Sequence, residues 1–514
     1  MRSTARSLRL VIGLSLSALL LSACLIDMSR PAAAFGFGGF GRGGGGGFGR
    51  PMMGGGMRGR TMTAPRRTTG RTVGTHSSGD RTGTHYTGTH YDGTHYDGGG
   101  GSRHTIIVPG FPGDTGPNLP DASLRGGGNN RGSGVPPRGE RRFVADEIIV
   151  EFSAGATPQA IDQLARRFNL TQLESQGFPL IRSTFSRWRI PRGRSVPDLV
   201  GVIEDDRIVA SAQPNYFYTL QEDAAKSDAA THGDAGQYVL GKLQIEQAHQ
   251  VATGKDILVA VIDSQIDAKH PDLAGTIVTN VDELGGEDNP PEHGTAIAGA
   301  IAAHGKLLGI APGVRLLAAR AFDDTPGRSK GTSFAIYKSL QSAADGGARI
   351  VNMSFVGPAD PALHRMLAAA YEKDMVLIAA AGNAGPDSAP LYPAADPDVI
   401  AVTASDSRDS LFKMANRGRY IAVAAPGVEI LALAPGDAYQ IATGTSVAAA
   451  HVSGIAALLL ERNPSLKPKE IRTIIMSTAK PHPDFGAGLV NAYRAVILLD
   501  RKPAGKDASP QAKQ

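Results

Sequence analysis

Four side chains, far apart along the chain, are of the types that nucleophilic acyl chemistry needs. Ser446 lies in Gly444-Thr445-Ser446-Val447-Ala448-Ala449-Ala450-His451, a small-residue turn that opens into the apolar run 455–460. A serine there starts a helix, where unpaired backbone N–H groups and the positive end of the dipole favour a developing oxyanion. Asp263 closes the apolar run 257–262, which reads as a buried parallel strand, and active sites of open α/β sheets lie at the carboxyl ends of such strands. His293 opens the small-residue stretch 294–302, a helix whose glycines allow close packing, and Asn383 follows the strand-like run 376–381 in a Gly-Asn turn. Taken singly, each of the four also reads as a cap, a core residue or a turn residue.

The elements that must hold these residues alternate. Strands are expected at 257–262, 315–321, 350–354, 375–381 and 399–404, and helices at 294–304, 333–345, 361–373, 446–462 and 468–478. That order predicts an α/β fold, a parallel sheet with helices on both faces, over residues 237–500. Upstream, the alternation in 143–152 predicts a strand, and Thr157 with Pro158 starts a helix running to residue 168. Strands near 171–174 and 184–190, a helix at 196–204 and a strand at 208–218 complete a βαββαβ, ferredoxin-like α+β unit assigned to 143–222. A polar linker, 223–236, joins the two, and 501–514 reads as a disordered tail.

In the order Asp263, His293, Asn383, Ser446, these residues and their surroundings resemble the subtilisin-like serine proteases, the subtilases. Val351-Asn352-Met353-Ser354, Gly309-Ile310-Ala311-Pro312 and Gly486-Ala487-Gly488-Leu489-Val490-Asn491-Ala492 extend the resemblance over roughly 237–500. It implies peptide-bond hydrolysis through an acyl-enzyme, with Ser446 as nucleophile, His293 as base and then acid, Asp263 orienting the imidazole and Asn383 donating to the oxyanion. No metal or other cofactor is needed for that chemistry. It also implies that 143–222 is an inhibitory propeptide that assists folding and lays its last strand across the active site, with autoprocessing in the connector between about 220 and 237. Protein or peptide substrates would bind as an added strand. By resemblance, Ser329, Gly331, Ser354, Phe355, Val356 and Gly357 flank the cleft, and Leu391, before Tyr392-Pro393, aligns with the floor of the primary pocket, favouring small or medium apolar side chains.

Three positions depart from the family pattern: Gln265 and Val356 replace common glycines, and Ala450 replaces a common proline. Val356 is expected to narrow the cleft or alter its subsites. The segment His304-Gly305-Lys306-Leu307-Leu308-Gly309 offers few oxygen ligands, which leaves structural calcium open. The departures motivate a rival reading, an inactive subtilase fold serving as a binding module.

Composition bounds the rest. The chain has 514 residues, 65 of them glycine and concentrated early, so part of its length is not packed core. A net charge of +5 is modest for this size and does not argue for a nucleic-acid partner, and a single cysteine excludes an internal disulfide framework. Arg2, Arg6 and Arg9 precede the apolar run 10–21, which is short for a membrane span and right for a secretory signal within 1–34. Leu21-Ser22-Ala23-Cys24 looks like a bacterial lipobox, which would attach lipid to Cys24 and tether the precursor to a membrane; cleavage after Ala32-Ala33-Ala34 is the alternative. Export from a bacterial cytoplasm follows in either case, to the exterior, the periplasm or the envelope surface. Residues 35–142, rich in Gly, Arg and Thr, carry too little apolar surface to order themselves. The repeats Thr84-His85-Tyr86, Thr89-His90-Tyr91 and Thr94-His95-Tyr96 read as a low-complexity spacer, with loose transition-metal binding the lesser reading.

Overall fold

The computed structural model of the protein describes residues 133–221, 237–285, 292–323 and 329–500. Cys24, the histidine repeats, the linker after residue 221 and the C-terminal tail lie outside the described residues.

The first unit runs β1 (Phe143–Phe152), α1 (Pro158–Phe168), β2 (Thr171–Phe178), β3 (Ser183–Arg189), α2 (Val196–Glu204) and β4 (Val209–Leu220). Thr157 accepts the Ala160 N–H at 3.2 Å and Ser195 accepts that of Asp198 at 3.4 Å, so both helices begin where a hydroxyl meets an orphan donor. The four strands form an antiparallel sheet in the order β2-β3-β1-β4. One face is closed by α1 and α2 over Ile148, Val150, Trp188 and Leu199. The other contributes Ile149, Phe178 and Phe185 to a core shared with the second unit.

That second unit begins with two short helices, α3 (Tyr238–Leu243) and α4 (Ile245–His249), followed by β5 (Leu258–Asp263), β6 (Ile277–Asp282), α5 (Glu292–Ala302), β7 (Arg315–Arg320), β8 (Phe322–Asp323) and β9 (Lys330–Thr332). Next come α6 (Ser333–Asp345), β10 (Ile350–Met353), β11 (Phe355–Val356), α7 (Pro361–Glu372), β12 (Val376–Ala380) and β13 (Val399–Ser405). It ends with β14 (Ile421–Pro426), the hairpin β15 (Ile430–Ala434) and β16 (Ala438–Ala442), then α8 (Thr445–Arg462), α9 (Pro468–Thr478) and α10 (Ala492–Leu498). Seven strands form the expected parallel sheet in the order β14-β13-β12-β10-β5-β7-β6. Along β5, Val259 and Val261 pack on the side of α8, whereas Leu258, Ala260 and Ile262 pack on the side of α6 and α7. Burial on both faces is why the strand is apolar throughout rather than alternating.

The two units are joined through β4. Its C-terminal half leaves the first sheet and pairs antiparallel with β9 on one side, Phe217 to Thr332, Tyr218 to Gly331 and Thr219 to Lys330. On the other side Leu220 pairs with Phe355 and Thr219 with Val356. Two buried amides on the same strand complete helices of the other unit: Asn215 Oδ1 accepts the Phe334 N–H of α6 and Gln213 Oε1 accepts the Ala362 N–H of α7, each at 3.2 Å. Ion pairs from Arg365 to Glu151 at 2.8 Å and from Lys338 to Glu174 at 3.1 Å border the contact.

The sequence reading ended β4 at residue 218, two residues short of its end at Leu220, because the partners of the last residues belong to the other unit. It also passed over β6, β14, the β15–β16 hairpin and three short helices, α3, α4 and α10.

His451, in the second turn of α8, is fully buried and its Nδ1 lies 2.9 Å from the Pro426 carbonyl oxygen, so Nδ1 carries the hydrogen. Burial pushes its pKa down to about 4 from an ordinary 6.5. Between those values the unfolded chain takes up a proton that the native ring refuses, so stability is full above pH 6.5 and is lost as pH falls toward 4. The loss at pH 4.5 should be about 2–3 kcal/mol. Thermal unfolding of the parent and of His451→Asn at pH 7 and pH 4.5 checks this: the variant should show the smaller acid-induced drop, and equal drops would remove His451 as the cause.

Candidate active site

β5 delivers Asp263 at its carboxyl end and α5 presents His293 in its first turn; both are buried, with His293 Nδ1 2.7 Å from Asp263 Oδ1. A carboxylate can only accept, so Nδ1 carries the hydrogen. The approach of α5 to β5 depends on Gly294, where a Cβ would lie 2.6 Å from the Ser264 carbonyl oxygen and 2.8 Å from that of Gln265. Ser264 finishes the joint. Its N–H donates to Asp263 Oδ1 at 2.7 Å, its hydroxyl donates to the same oxygen at 3.3 Å, and that hydroxyl accepts the Gly294 N–H at 3.0 Å.

Ser446 sits in the first turn of α8, which packs against α5. Its turn is braced from beneath by a relay that the sequence reading did not find. Ser354 Oγ donates to the Ser446 carbonyl at 3.1 Å, Asn352 Nδ2 donates to Ser354 Oγ at 2.9 Å, and Ser453 Oγ donates to Asn352 Oδ1 at 3.0 Å. The side chain of Ser354, the residue just before β11, is thus fully buried and turned to the helix. The signal was present in the adjoining Asn352-Met353-Ser354 motif, but Ser453, two helical turns beyond Ser446 along α8, gave none.

Asn383 follows β12 and faces the start of α8. Its Oδ1 accepts the Thr445 N–H at 3.1 Å and the Thr445 hydroxyl at 2.9 Å. Two donors on the oxygen fix the amide orientation, so Nδ2 must point away from them. It points to the carbonyl oxygen of Gln221, 3.1 Å away. The hydroxyl of Ser446 is in hydrogen-bond contact with that same carbonyl oxygen. Gly444 leaves the space open, since a Cβ there would lie 2.6 Å from the Gln221 oxygen and 2.9 Å from Asn383 Nδ2. The residue immediately after β4 therefore presents its peptide carbonyl oxygen to a hydroxyl and a carboxamide.

Of the expected cleft residues, Gly331, Phe355 and Val356 pair directly with β4. Ser329 immediately precedes β9, and Gly357 bridges to Tyr392. Val356 does not obstruct the cleft: its backbone carries one rung of the ladder, and its side chain is buried. Leu391 lies below the turn, its Cδ1 3.2 Å from where a Cβ on Gly382 would be. The Gln221 side chain takes a different course, accepting the Asn383 N–H at 2.7 Å and donating to the Leu220 carbonyl at 3.1 Å. Near the loop after α5, backbone N–H groups of Lys306 and Leu307 donate to Asp272 at 3.0 and 2.8 Å. Those contacts hold the Asp272 pKa below the usual carboxylate range against the opposing effect of burial. Among the described residues no cluster of three or more His, Cys, Asp or Glu is placed to hold a metal ion.

The subtilase family model matches residues 254–495, and the fervidolysin N-terminal prodomain model matches residues 129–215. The thermophilic serine proteinase of Bacillus sp. (strain AK1) is 31% identical over 367 residues, which is 69% of this chain and 88% of that relative. Thermitase of Thermoactinomyces vulgaris is 36% identical over 272 residues, 51% of this chain and 95% of the relative. The crystal structure of fervidolysin from Fervidobacterium pennivorans, described as a keratinolytic enzyme related to subtilisin, superposes with a TM-score of 0.58 at 24% identity. That likeness bears on the fold alone, and it covers 69% of this chain and 61% of fervidolysin, less than two thirds of its length. With its parallel sheet, its site and these relatives taken together, the chain belongs to the subtilase family of serine endopeptidases and carries a fervidolysin-type prodomain.

Proposed function

We propose that this chain is a self-processing zymogen, in which Asp263, His293 and Ser446 form the catalytic triad, Asn383 is an oxyanion donor, and the first bond cut is Gln221–Glu222. The observation that carries the reading is the Gln221 carbonyl oxygen, in contact with the Ser446 hydroxyl and 3.1 Å from Asn383 Nδ2, at the end of a strand paired on both sides. A serine hydroxyl is a poor nucleophile until a base takes its proton. His293, its Nδ1 hydrogen held by Asp263, has Nε2 for that task, and the same nitrogen returns the proton to the leaving amine of Glu222. Asp263 stabilises the imidazolium without accepting the proton. As the Gln221 carbonyl becomes tetrahedral, Asn383 Nδ2 and the Ser446 N–H at the start of α8 meet the developing charge. Water then releases the acyl group, leaving the prodomain in the cleft as an inhibitory product.

Protein and peptide substrates would take the same path, as strands between β9 and β11. Leu391 would floor the primary pocket and favour apolar side chains of small to medium size. The chemistry needs no metal. At Asp272 the amides of Lys306 and Leu307 supply the positive partners that a structural calcium would otherwise provide. The arginines ahead of the apolar run 10–21 and the sequence Leu21-Ser22-Ala23-Cys24 support export, with lipid on Cys24 as the envelope tether.

Expressing the full chain beside Ser446→Ala tests the processing step. The parent should yield a prodomain fragment ending at Gln221 and a mature chain beginning at Glu222, both read by mass spectrometry, while the variant stays uncut. Cleavage of both proteins alike would refute self-processing, and a parent fragment ending elsewhere would refute the bond assignment. Asn383→Ala should slow turnover of a peptide substrate roughly a hundredfold to a thousandfold with little change in KM, a magnitude taken from the corresponding asparagine of subtilisin itself. A change confined to KM would show that Asn383 binds substrate without stabilising the oxyanion.

A further inference from the structure

Tyr218 is the fourth residue upstream of the bond assigned above, so the pocket it fills is the one a substrate residue at that place would enter. The ring is fully buried and meets Phe355 edge-on, with centroids 5.8 Å apart. Gly357 makes the space, since a Cβ there would stand 2.3 Å from the Tyr218 ring. At the floor the phenol hydroxyl lies 3.3 Å from the Pro358 carbonyl oxygen and 3.4 Å from Asp360 Oδ2. Burial, together with the nearby Asp360, pushes the Tyr218 pKa well above its ordinary value, so the hydroxyl keeps its hydrogen and donates.

Asp360 is a buried carboxylate, 4% exposed, whose donors come from both units. From the catalytic unit it receives the Tyr337 hydroxyl at 2.6 Å, the Ser333 hydroxyl at 2.6 Å and the Leu363 N–H at 2.9 Å. From the prodomain it receives Gln213 Nε2 at 2.8 Å and the longer contact from Tyr218. Removal of the prodomain takes the last two away and leaves the Pro358 carbonyl without the phenol. Water can replace them in an open pocket. A substrate ring that closes the pocket expels that water; Asp360 Oδ2 then keeps its two short hydroxyl donors from Tyr337 and Ser333 but loses the third, and the Pro358 carbonyl loses the phenol, each at a cost.

We infer that Asp360 makes this enzyme select tyrosine over phenylalanine at the fourth substrate position upstream of the cut. Phenylalanine fills the same space between Phe355 and Gly357 but covers the carboxylate and the Pro358 carbonyl with carbon. Tyrosine supplies one hydroxyl to both. A site built to bind a hydroxyl discriminates against the analogue lacking it far better than an apolar slot discriminates between sizes. Because the two contacts are long, the expected preference is modest, about tenfold in kcat/KM. Lysine brings a full charge, but seating its ammonium sheds a hydration shell that two partly occupied acceptors replace poorly.

The inference rests on the protease reading, and the test separates the two. Self-processed enzyme is given acetyl-Xaa-Thr-Leu-Gln peptides bearing a fluorogenic amide, with Tyr, Phe, Leu or Lys at Xaa, and labelling of Ser446 by a fluorophosphonate is measured in parallel. The expected result is a Tyr to Phe ratio near ten in kcat/KM, falling toward one in Asp360→Asn, which retains a side-chain oxygen to cap α7. The ratio in the parent enzyme is decisive even if the variant fails to mature. Equal rates for Tyr and Phe, or a rate for Lys above both, would overturn the selection by Asp360 while leaving the protease intact. Absent turnover together with absent labelling would overturn the protease reading and this inference with it.

Discussion

One strand belonging to two sheets is the constraint from which the rest of the structure follows. β4 is the edge strand of the prodomain sheet through its pairing with β1, and within the same run of residues it becomes the strand between β9 and β11. Because a strand's register fixes which face each side chain takes, the position of Gln221 cannot be adjusted independently of Gln213 or Tyr218. The bulged pairing of β1 with β4 and the ladder from Phe217 to Leu220 together place one carbonyl at Ser446. A slip of one residue would turn Tyr218 out of its pocket and put the wrong peptide bond before the hydroxyl.

Around that strand, precision comes from small residues and from hydroxyls that act as joints. Gly294 lets α5 touch the end of β5, Gly444 empties the space beside the reacting carbonyl, and Gly357 opens the pocket for an aromatic ring. Ser264, Thr445 and Ser354 then tie backbone to backbone at the places where the glycines have brought it close. Such joints are made of groups with few rotamers, so they hold the larger functional side chains at little cost in conformational entropy.

Much of this was legible from the chain alone. The parallel sheet was visible because strands buried on both faces are continuously apolar, as at residues 258–262 of β5 and at β12. The proposed reacting groups drew notice because each stands at the end of such a strand or the start of a small-residue helix. The hairpin β15–β16 was missed although Pro435-Gly436-Asp437 marks its turn, since its two short arms read as neither strand nor helix. The side-chain partners of Ser354 were not legible for another reason: a motif fixes neighbours in sequence, whereas the hydroxyl's partners, Ser446 and Asn352, are set by how α8 crosses the sheet. Asp360 gave no signal either, for its surroundings are assembled from α6, the start of α7 and a strand of the other unit.

The amides of Gln213 and Asn215 complete two helices that their own unit does not contain. If the prodomain is shed as proposed, α6 and α7 each begin with an N–H that has lost the partner the prodomain supplied, so the shortened chain lacks two contacts that the full chain has. Its endurance then becomes a question of how slowly it comes apart rather than of where equilibrium lies.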